Sequence, residues 1–89
     1  MLIQANLLSS PEMTSEIAFS VILEPQDGGG FTVTVPALPE VVTEGGTEEE
    51  ALAMARDAIT LVLDHRRDHD LPIPSDVLPE VRKVRIATE

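Results

Sequence analysis

All five glycines of the 89-residue chain lie in one stretch, "DGGGFTVTVPALPEVVTEGGTEEEA", which covers residues 27–51. Glycine adopts positive φ without steric cost, so the two glycine clusters predict two tight connections. Pro36 and Pro39 fix φ and each remove a backbone donor, so no central strand continues through them. The stretch is therefore predicted to contain short strands that are joined by turns.

Alternating apolar residues predict these strands. The residues before Pro25 alternate with period two, and the apolar positions on one face are Ile17, Phe19, Val21 and Leu23. After the first glycine cluster the alternation resumes at Phe31, Val33 and Val35, which predicts a β-hairpin. The sequence "EVVTE" at residues 40–44 predicts a short third strand that ends at the second glycine cluster.

The four residues "TEEE" predict the start of a helix at Thr47. They form a capping box, in which the Thr47 hydroxyl accepts from the Glu50 amide and the Glu50 carboxylate accepts from the Thr47 amide. An apolar stripe follows at helical spacing and consists of Leu52, Ala55, Ile59, Val62 and Leu63. Arg66 and Arg67 complement the C-terminal end of the helix dipole, so the helix is predicted to run to about residue 67.

A fourth strand is predicted at "VRKVRIAT", residues 81–88, after a segment with three prolines. The order βββαβ indicates an α+β fold, in which a three-stranded antiparallel meander and the fourth strand are covered on one face by one long helix. The chain is too short for two cores, so we expect an N-terminal extension at residues 1–16 and a single domain at residues 17–89. The small core contains only two aromatics, Phe19 and Phe31.

Acidic charge dominates the first half of the chain. The chain has six basic and sixteen acidic residues, and residues 1–50 contain nine acids and no Lys or Arg. Such a field repels nucleic acid and leaves two interpretations, a basic partner or solubility alone. Without Cys, disulfides and thiolate chemistry are excluded. No signal peptide or membrane span is apparent, so a cytoplasmic protein is expected.

Few residues suggest chemistry. His65 and His69 are four residues apart on the predicted helix, and Asp68 lies between them, which makes a zinc or nickel site conceivable. Two histidines at a polar helix end are more often solvated partners of the dipole. The glycine clusters match no phosphate-binding motif, and no serine has a catalytic neighbour. We therefore predict no catalytic residue, no cofactor and no enzymatic activity.

Self-association is expected from the small aliphatic core and from the unpaired edges of the sheet. The contact is predicted at a strand edge or at the sheet face opposite the helix. Ile22 is the apolar outlier on that face, so it is the predicted interface residue of a homodimer or homotetramer.

Four motifs in this order, "DGGGF", "TVTVPALP", "TEGGTEEEA" and "LPIP", resemble the HicB-like antitoxin domain across about residues 17–86. The resemblance implies a partial ribonuclease H-like sheet with the order βββαβ. It also implies structural roles for nine motif residues, which are Asp27, Gly29, Phe31, Pro36, Leu38, Pro39, Thr47, Glu50 and Ala51.

The function implied by this resemblance is the neutralisation of a small basic RNA-cleaving toxin of the HicA type, whose active surface the domain covers. The acids expected to contact the toxin are Glu44, Glu48 and Glu49. Glu40 and Val41 replace a Gly-Cys pair that is common in the family. Many relatives carry a C-terminal operator-binding module, for which this chain leaves no room, so direct DNA binding is not expected.

Two alternatives stay open at this point. One is a solitary structural or regulatory domain that has the fold but no toxin. The other is a minimal metal-dependent hydrolase that uses His65, Asp68 and His69.

Overall fold

The computed structural model describes residues 16–89, which form a three-stranded sheet and one helix. The elements are β1 (Ile22–Pro25), β2 (Phe31–Thr34), β3 (Val42–Gly45) and α1 (Glu48–Asp68). The strands form an antiparallel meander in the order β1-β2-β3, and α1 packs against β2 and β3. The predicted α+β class, the meander and the single long helix are confirmed. Of the predicted N-terminal extension, all but Glu16 lies outside the described residues.

The core lies between the sheet and α1, because successive side chains of a strand point to opposite faces. Val33 and Val35 alternate with Thr32 and Thr34, and only the valines are buried. The helix contributes its own apolar stripe to this layer. The buried residues of the core are Val33, Val35, Leu38, Val41, Ala51, Ala55 and Leu63.

Glycines set both the hairpin turn and the distance between sheet and helix. Gly30 has φ of +87°, and its carbonyl accepts from the Gln26 amide at 2.9 Å to close the turn. Gly45 ends β3 where the first turn of α1 crosses it. A Cβ on Gly45 would lie 2.6 Å from the Ala51 Cα, so only glycine permits this approach. The second glycine cluster therefore fixes the helix against the sheet.

The first strand is shorter than predicted, since β1 begins at Ile22 rather than near Ile17. Ser20 explains the difference, because its amide donates to the Asp76 carboxylate at 2.7 Å instead of to a strand partner. The Ser20 hydroxyl donates to the same carboxylate at 2.8 Å, and both bonds hold the pKa of Asp76 below its usual value. The predicted inward face is nonetheless correct at Phe19, Val21 and Leu23, which pack against the core.

The predicted fourth strand is absent from the described structure. No residue after the helix belongs to a strand, and Val81, Val84 and Ile86 are 86%, 82% and 78% exposed. A strand forms only when its backbone pairs with a neighbour, and after Asp76 the chain leaves the sheet. Residues 77–89 are called the C-terminal arm below.

The helix start agrees with the prediction in one bond and differs in the other. Thr47 is the N-cap, and its hydroxyl accepts from the Glu50 amide at 3.1 Å. The Glu50 carboxylate, however, accepts from the amide of Gly46 at 2.6 Å rather than from that of Thr47. Gly46 presents no side chain to the carboxylate, which can therefore reach one residue further back. The cap thus satisfies two amides around the second glycine cluster.

Replacing Thr47 with alanine is expected to lower the free energy of unfolding by about 0.5–2 kcal/mol, because the Glu50 amide loses its acceptor. Urea denaturation followed by circular dichroism measures the change. Thr60→Ala is the matched control, because the Thr60 hydroxyl only donates to the Arg56 carbonyl within the helix. Equal stability of Thr47→Ala and the wild type would show that the cap contributes nothing.

Candidate partner-binding surface

The sheet face opposite α1 is open in the described part of the chain. Strand pairing places Ile22, Thr34 and Val42 in one row across this face. Ile22 is half-buried, whereas Val42 is 65% exposed. The predicted interface residue therefore lies on the predicted face, in the same row as the exposed Val42.

A second row of the open face is acidic at both ends. Glu24 pairs with Thr32, and Thr32 pairs with Glu44 across the neighbouring strands. Both carboxylates are exposed, and the Thr32 hydroxyl between them accepts from the Gln26 side-chain amide at 2.6 Å. The open face thus combines an apolar row with an acidic row.

Two more exposed carboxylates stand at the start of the helix. Glu48 and Glu49 belong to the first turn of α1, close in sequence to Glu44 at the end of β3. These three residues are called the acidic patch. All three side chains are exposed, and none of the three carboxylates accepts a hydrogen bond from, or forms an ion pair with, a described residue.

Glu50 differs from its neighbours because its carboxylate is committed to the Gly46 amide. The structure therefore divides the glutamate block of the sequence into two kinds of residue. Glu50 stabilises the helix start, whereas Glu48 and Glu49 face solvent.

The motif residues occupy the turns and the layer between sheet and helix. Asp27 and Gly29 lie in the exposed hairpin turn, where Gly29 has φ of +107°, and Phe31 is half-buried at the start of β2. Ala51 is fully buried beneath the sheet. Gly45 belongs to the same contact, although its sequence position indicated only the end of a strand.

The "PALP" segment is a turn with a buried centre. Leu38 has no exposed surface, and its amide donates to the Val35 carbonyl at 2.9 Å. Its carbonyl accepts from the Val41 amide at 2.9 Å, so two tight bonds surround the side chain. Pro36 is half-buried and Pro39 is exposed. The turn thus anchors the connection from β2 to β3 in the core.

Arg66 joins the end of the helix to the turn around Leu38 and to the segment that follows the helix. Its guanidinium donates to the Glu40 carboxylate at 2.8 Å and to the Pro72 carbonyl at 3.1 Å. The bond from Arg66 holds the pKa of Glu40 below its usual value. Glu40 therefore fixes the turn to the end of the helix, a role that neither its sequence position nor the helix-dipole interpretation of Arg66 revealed.

The two histidines stack on each other at the end of α1. Their ring centroids lie 4.2 Å apart, and the Nδ1 of His69 donates to the His65 carbonyl at 2.9 Å. Asp68 does not complete a site with them: within residues 16–89, no group of three or more His, Cys, Asp or Glu side chains is close enough to hold a metal. The pair acts as part of the helix cap.

Along the same described residues, no helix has both the length and the apolar character needed to cross a membrane. The described residues form an α+β domain, and its distinctive surfaces are the open sheet face and the acidic patch.

Comparison with known proteins identifies the class. Residues 19–85 match the family described as the HicB-like antitoxin of bacterial toxin–antitoxin systems. The chain belongs to this family, as the resemblance of its motifs indicated.

Individual relatives differ in length. The chain is 41% identical over 61 residues to antitoxin HicB 1 of Photorhabdus laumondii and 37% identical over 59 residues to antitoxin HicB of Escherichia coli. These matches cover 66% and 64% of this chain but only 39% and 43% of the two relatives. A UPF0150 protein of Thermoplasma acidophilum is 35% identical over 63 residues, which cover 71% of this chain and 91% of that protein. The domain therefore occurs both within longer antitoxins and in a protein of about its own length.

Proposed function

We propose that this protein is the antitoxin of a toxin–antitoxin pair and neutralises a small basic RNA-cleaving toxin of the HicA type by covering its active surface. The observation that best supports this proposal is the exposed acidic patch on a domain of an antitoxin family. The patch consists of Glu44, Glu48 and Glu49. The protein acts by binding rather than by catalysis. The complex belongs in the cytoplasm, because the RNA that such a toxin cleaves lies there.

Charge supports this choice of partner. A protein that cleaves RNA presents cations to the phosphates, so an acidic surface competes for the same groups. The described residues before α1 include no Lys or Arg. Three of the arginines form ion pairs, two of them in the last turns of α1 and one in the C-terminal arm. Complementary charge accelerates encounter and disfavours wrong partners.

The scaffold supports the proposal as well. Glu48 and Glu49 stand on a capped helix whose first turn is held against Gly45, and Glu44 stands on a paired strand. Because this backbone is already ordered, only the glutamate side chains lose conformational entropy when a partner binds.

Two other functions fit less well. A metal-dependent hydrolase using His65, Asp68 and His69 finds no support, since the Nδ1 of His69 is already engaged with its own helix. A solitary regulatory domain is favoured only by the relative of similar length from Thermoplasma acidophilum. The adjacent reading frame distinguishes that function from the antitoxin, which requires a small basic protein as its neighbour.

Charge reversal tests the proposal. The triple variant Glu44→Lys, Glu48→Lys and Glu49→Lys is expected to slow association with the toxin from the adjacent reading frame at least about tenfold, because electrostatic steering is inverted. It should also fail to restore growth of cells that express the toxin. Stopped-flow binding at two salt concentrations measures the rate and its screening.

The matched control reverses three exposed acids elsewhere, Asp57, Asp68 and Glu89, which gives the same change in net charge. This variant should bind and protect almost normally. Circular dichroism must first show that both variants are folded, because Glu48 and Glu49 also stabilise the helix dipole. A folded triple variant that protects cells fully would reject the acidic patch as the binding surface, and the absence of a basic neighbour would reject the antitoxin function.

A further inference from the structure

The C-terminal arm carries apolar surface that its own domain does not cover. Each of its residues is exposed, including Leu78 at 79% and Val81 at 86%. A single exposed apolar residue is ordinary, but a run of them along one extended segment indicates that another surface covers it.

The two faces of the arm differ when it is extended. Val84 and Ile86 fall on one side with Arg82, whereas Lys83 and Arg85 fall on the other with Val81. This alternation is the pattern of a strand with one buried face and one solvated face. The segment has the sequence of a strand but lacks a neighbour with which to pair.

The outer edge of β1 offers the complementary surface. β1 pairs only with β2 in the described residues, so the backbone groups on its other side are unpaired. Beside this edge lies an apolar groove of about 400 Å³ between residues 17–21 and α1. Its apolar lining includes Phe19, Val21, Leu52 and Ile59, and Arg56 and Thr60 of α1 also line it.

We infer that the arm of one copy adds as a strand to the outer edge of β1 in a second copy, and that the exchange is reciprocal. Val84 and Ile86 then enter the groove on the helix side of the sheet. Lys83 and Arg85 lie on the open side, where Glu24 of the neighbouring strand is exposed. The apolar pair Val84 and Ile86 and the cationic Lys83 therefore each meet matching chemistry, which favours this register over the one shifted by a single residue.

A second copy is the occupant that the structure favours. Each copy has both an acidic sheet and a cationic arm, so the contact is self-complementary and closes as a symmetric dimer. The thirteen residues of the arm reach at most about 40 Å, which is enough to cross to a neighbour. The base of the arm is anchored in its own domain by Ser20 and Asp76, and Pro79 stiffens the exit.

This inference is independent of the proposed function. β1 and β3 are the opposite edges of the sheet, and the acidic patch lies at the β3 side. Strand exchange is measured on the protein alone, without any toxin, so failure of one proposal leaves the other unaffected.

Sedimentation tests the inference on the full chain. At about 50 µM the wild type should be a dimer, and Val84→Asp should raise the dissociation constant about a hundredfold or more, because a carboxylate replaces an apolar group in the groove. Leu61→Asp is the matched control, since Leu61 is 70% exposed on the helix and lies outside both the arm and the groove. This control should remain dimeric.

A charge exchange tests the register. Glu24→Lys and Lys83→Glu should each weaken the dimer several-fold, and the double variant should recover most of the loss because the pair is restored with opposite sign. Strictly additive losses in the double variant would reject this register.

Two results would overturn the exchange itself. A monomeric wild type at this concentration would show that the arm folds onto its own domain or remains unpaired. A dimer that is dissociated by Ile22→Asp but not by Val84→Asp would place the contact on the open sheet face, the other location that the sequence predicted.

Discussion

Gly45→Ala is expected to destabilise the domain by about 3 kcal/mol or more, because the added methyl group meets backbone rather than a movable side chain. Its Cβ would lie 2.6 Å from the Ala51 Cα and 2.8 Å from the carbonyl carbon of Glu50. Relief of this overlap requires the first turn of α1 to move away from β3. Ala51 is fully buried in that contact, so the movement also opens the core. Small domains have only about 5–15 kcal/mol of stability, so this loss is a large fraction of it.

Gly46→Ala is the matched control at the adjacent residue. Its Cβ would lie 3.1 Å from the Glu50 Oε1, and a flexible carboxylate can move aside. We expect a loss of about 1 kcal/mol or less, from a weakened cap. Urea denaturation of both variants measures the difference. Equal stabilities would contradict the close approach of helix and sheet at Gly45.

Leu38→Ala is expected to cost about 2–5 kcal/mol, since the side chain is fully buried and its removal leaves a cavity. The surrounding turn is held by bonds to Val35 and Val41, and it can collapse only partly into the space. Leu61→Ala is the control. It removes the same atoms from a side chain that is 70% exposed, so it leaves no cavity. Chemical denaturation should show the unchanged slope and lowered midpoint of a pure loss of stability. A loss below about 1 kcal/mol at Leu38 would show that the turn is not part of the core.

The sequence predicted those features that depend on neighbouring residues. Period-two alternation located β2. Three of the four predicted inward positions of the first strand were correct, but Ile17 is 55% exposed and the strand itself begins five residues later. The cap at Thr47 followed from four adjacent residues, and the helix bounds agree within about one residue. Local sequence patterns predict an element correctly when its hydrogen bonds join residues that are close in the sequence.

Features that depend on distant residues were missed. Glu40 and Arg66 are 26 positions apart, and nothing in either local sequence indicates their ion pair. The same holds for the bonds from Ser20 to Asp76, which lie just before the first residue of β1 and join positions 56 apart in the sequence. The fourth strand failed for a related reason, because a β-prone segment such as residues 81–88 becomes a strand only beside a partner.

The sequence predicted where the candidate site lies better than it predicted which residues form it. The glutamate block indicated an acidic surface, but only the structure separates Glu50, which binds the Gly46 amide, from the exposed Glu48 and Glu49. The roles of Glu44, Glu48 and Glu49 in binding and of Ile22 in self-association stay predictions that the experiments above address.

The alternation of the two sheet faces has a consequence for how this protein can diverge. Thr32, Thr34 and Glu44 change the outer surface when they are replaced, and none of them enters the layer that contains Val33 and Ala51. Mutations at the outward positions therefore change the stability of the fold little, whereas mutations at the inward positions destabilise the core and are removed by selection. Related proteins can therefore acquire a different binding partner through substitutions at the outward residues of a strand, while every intermediate sequence still folds.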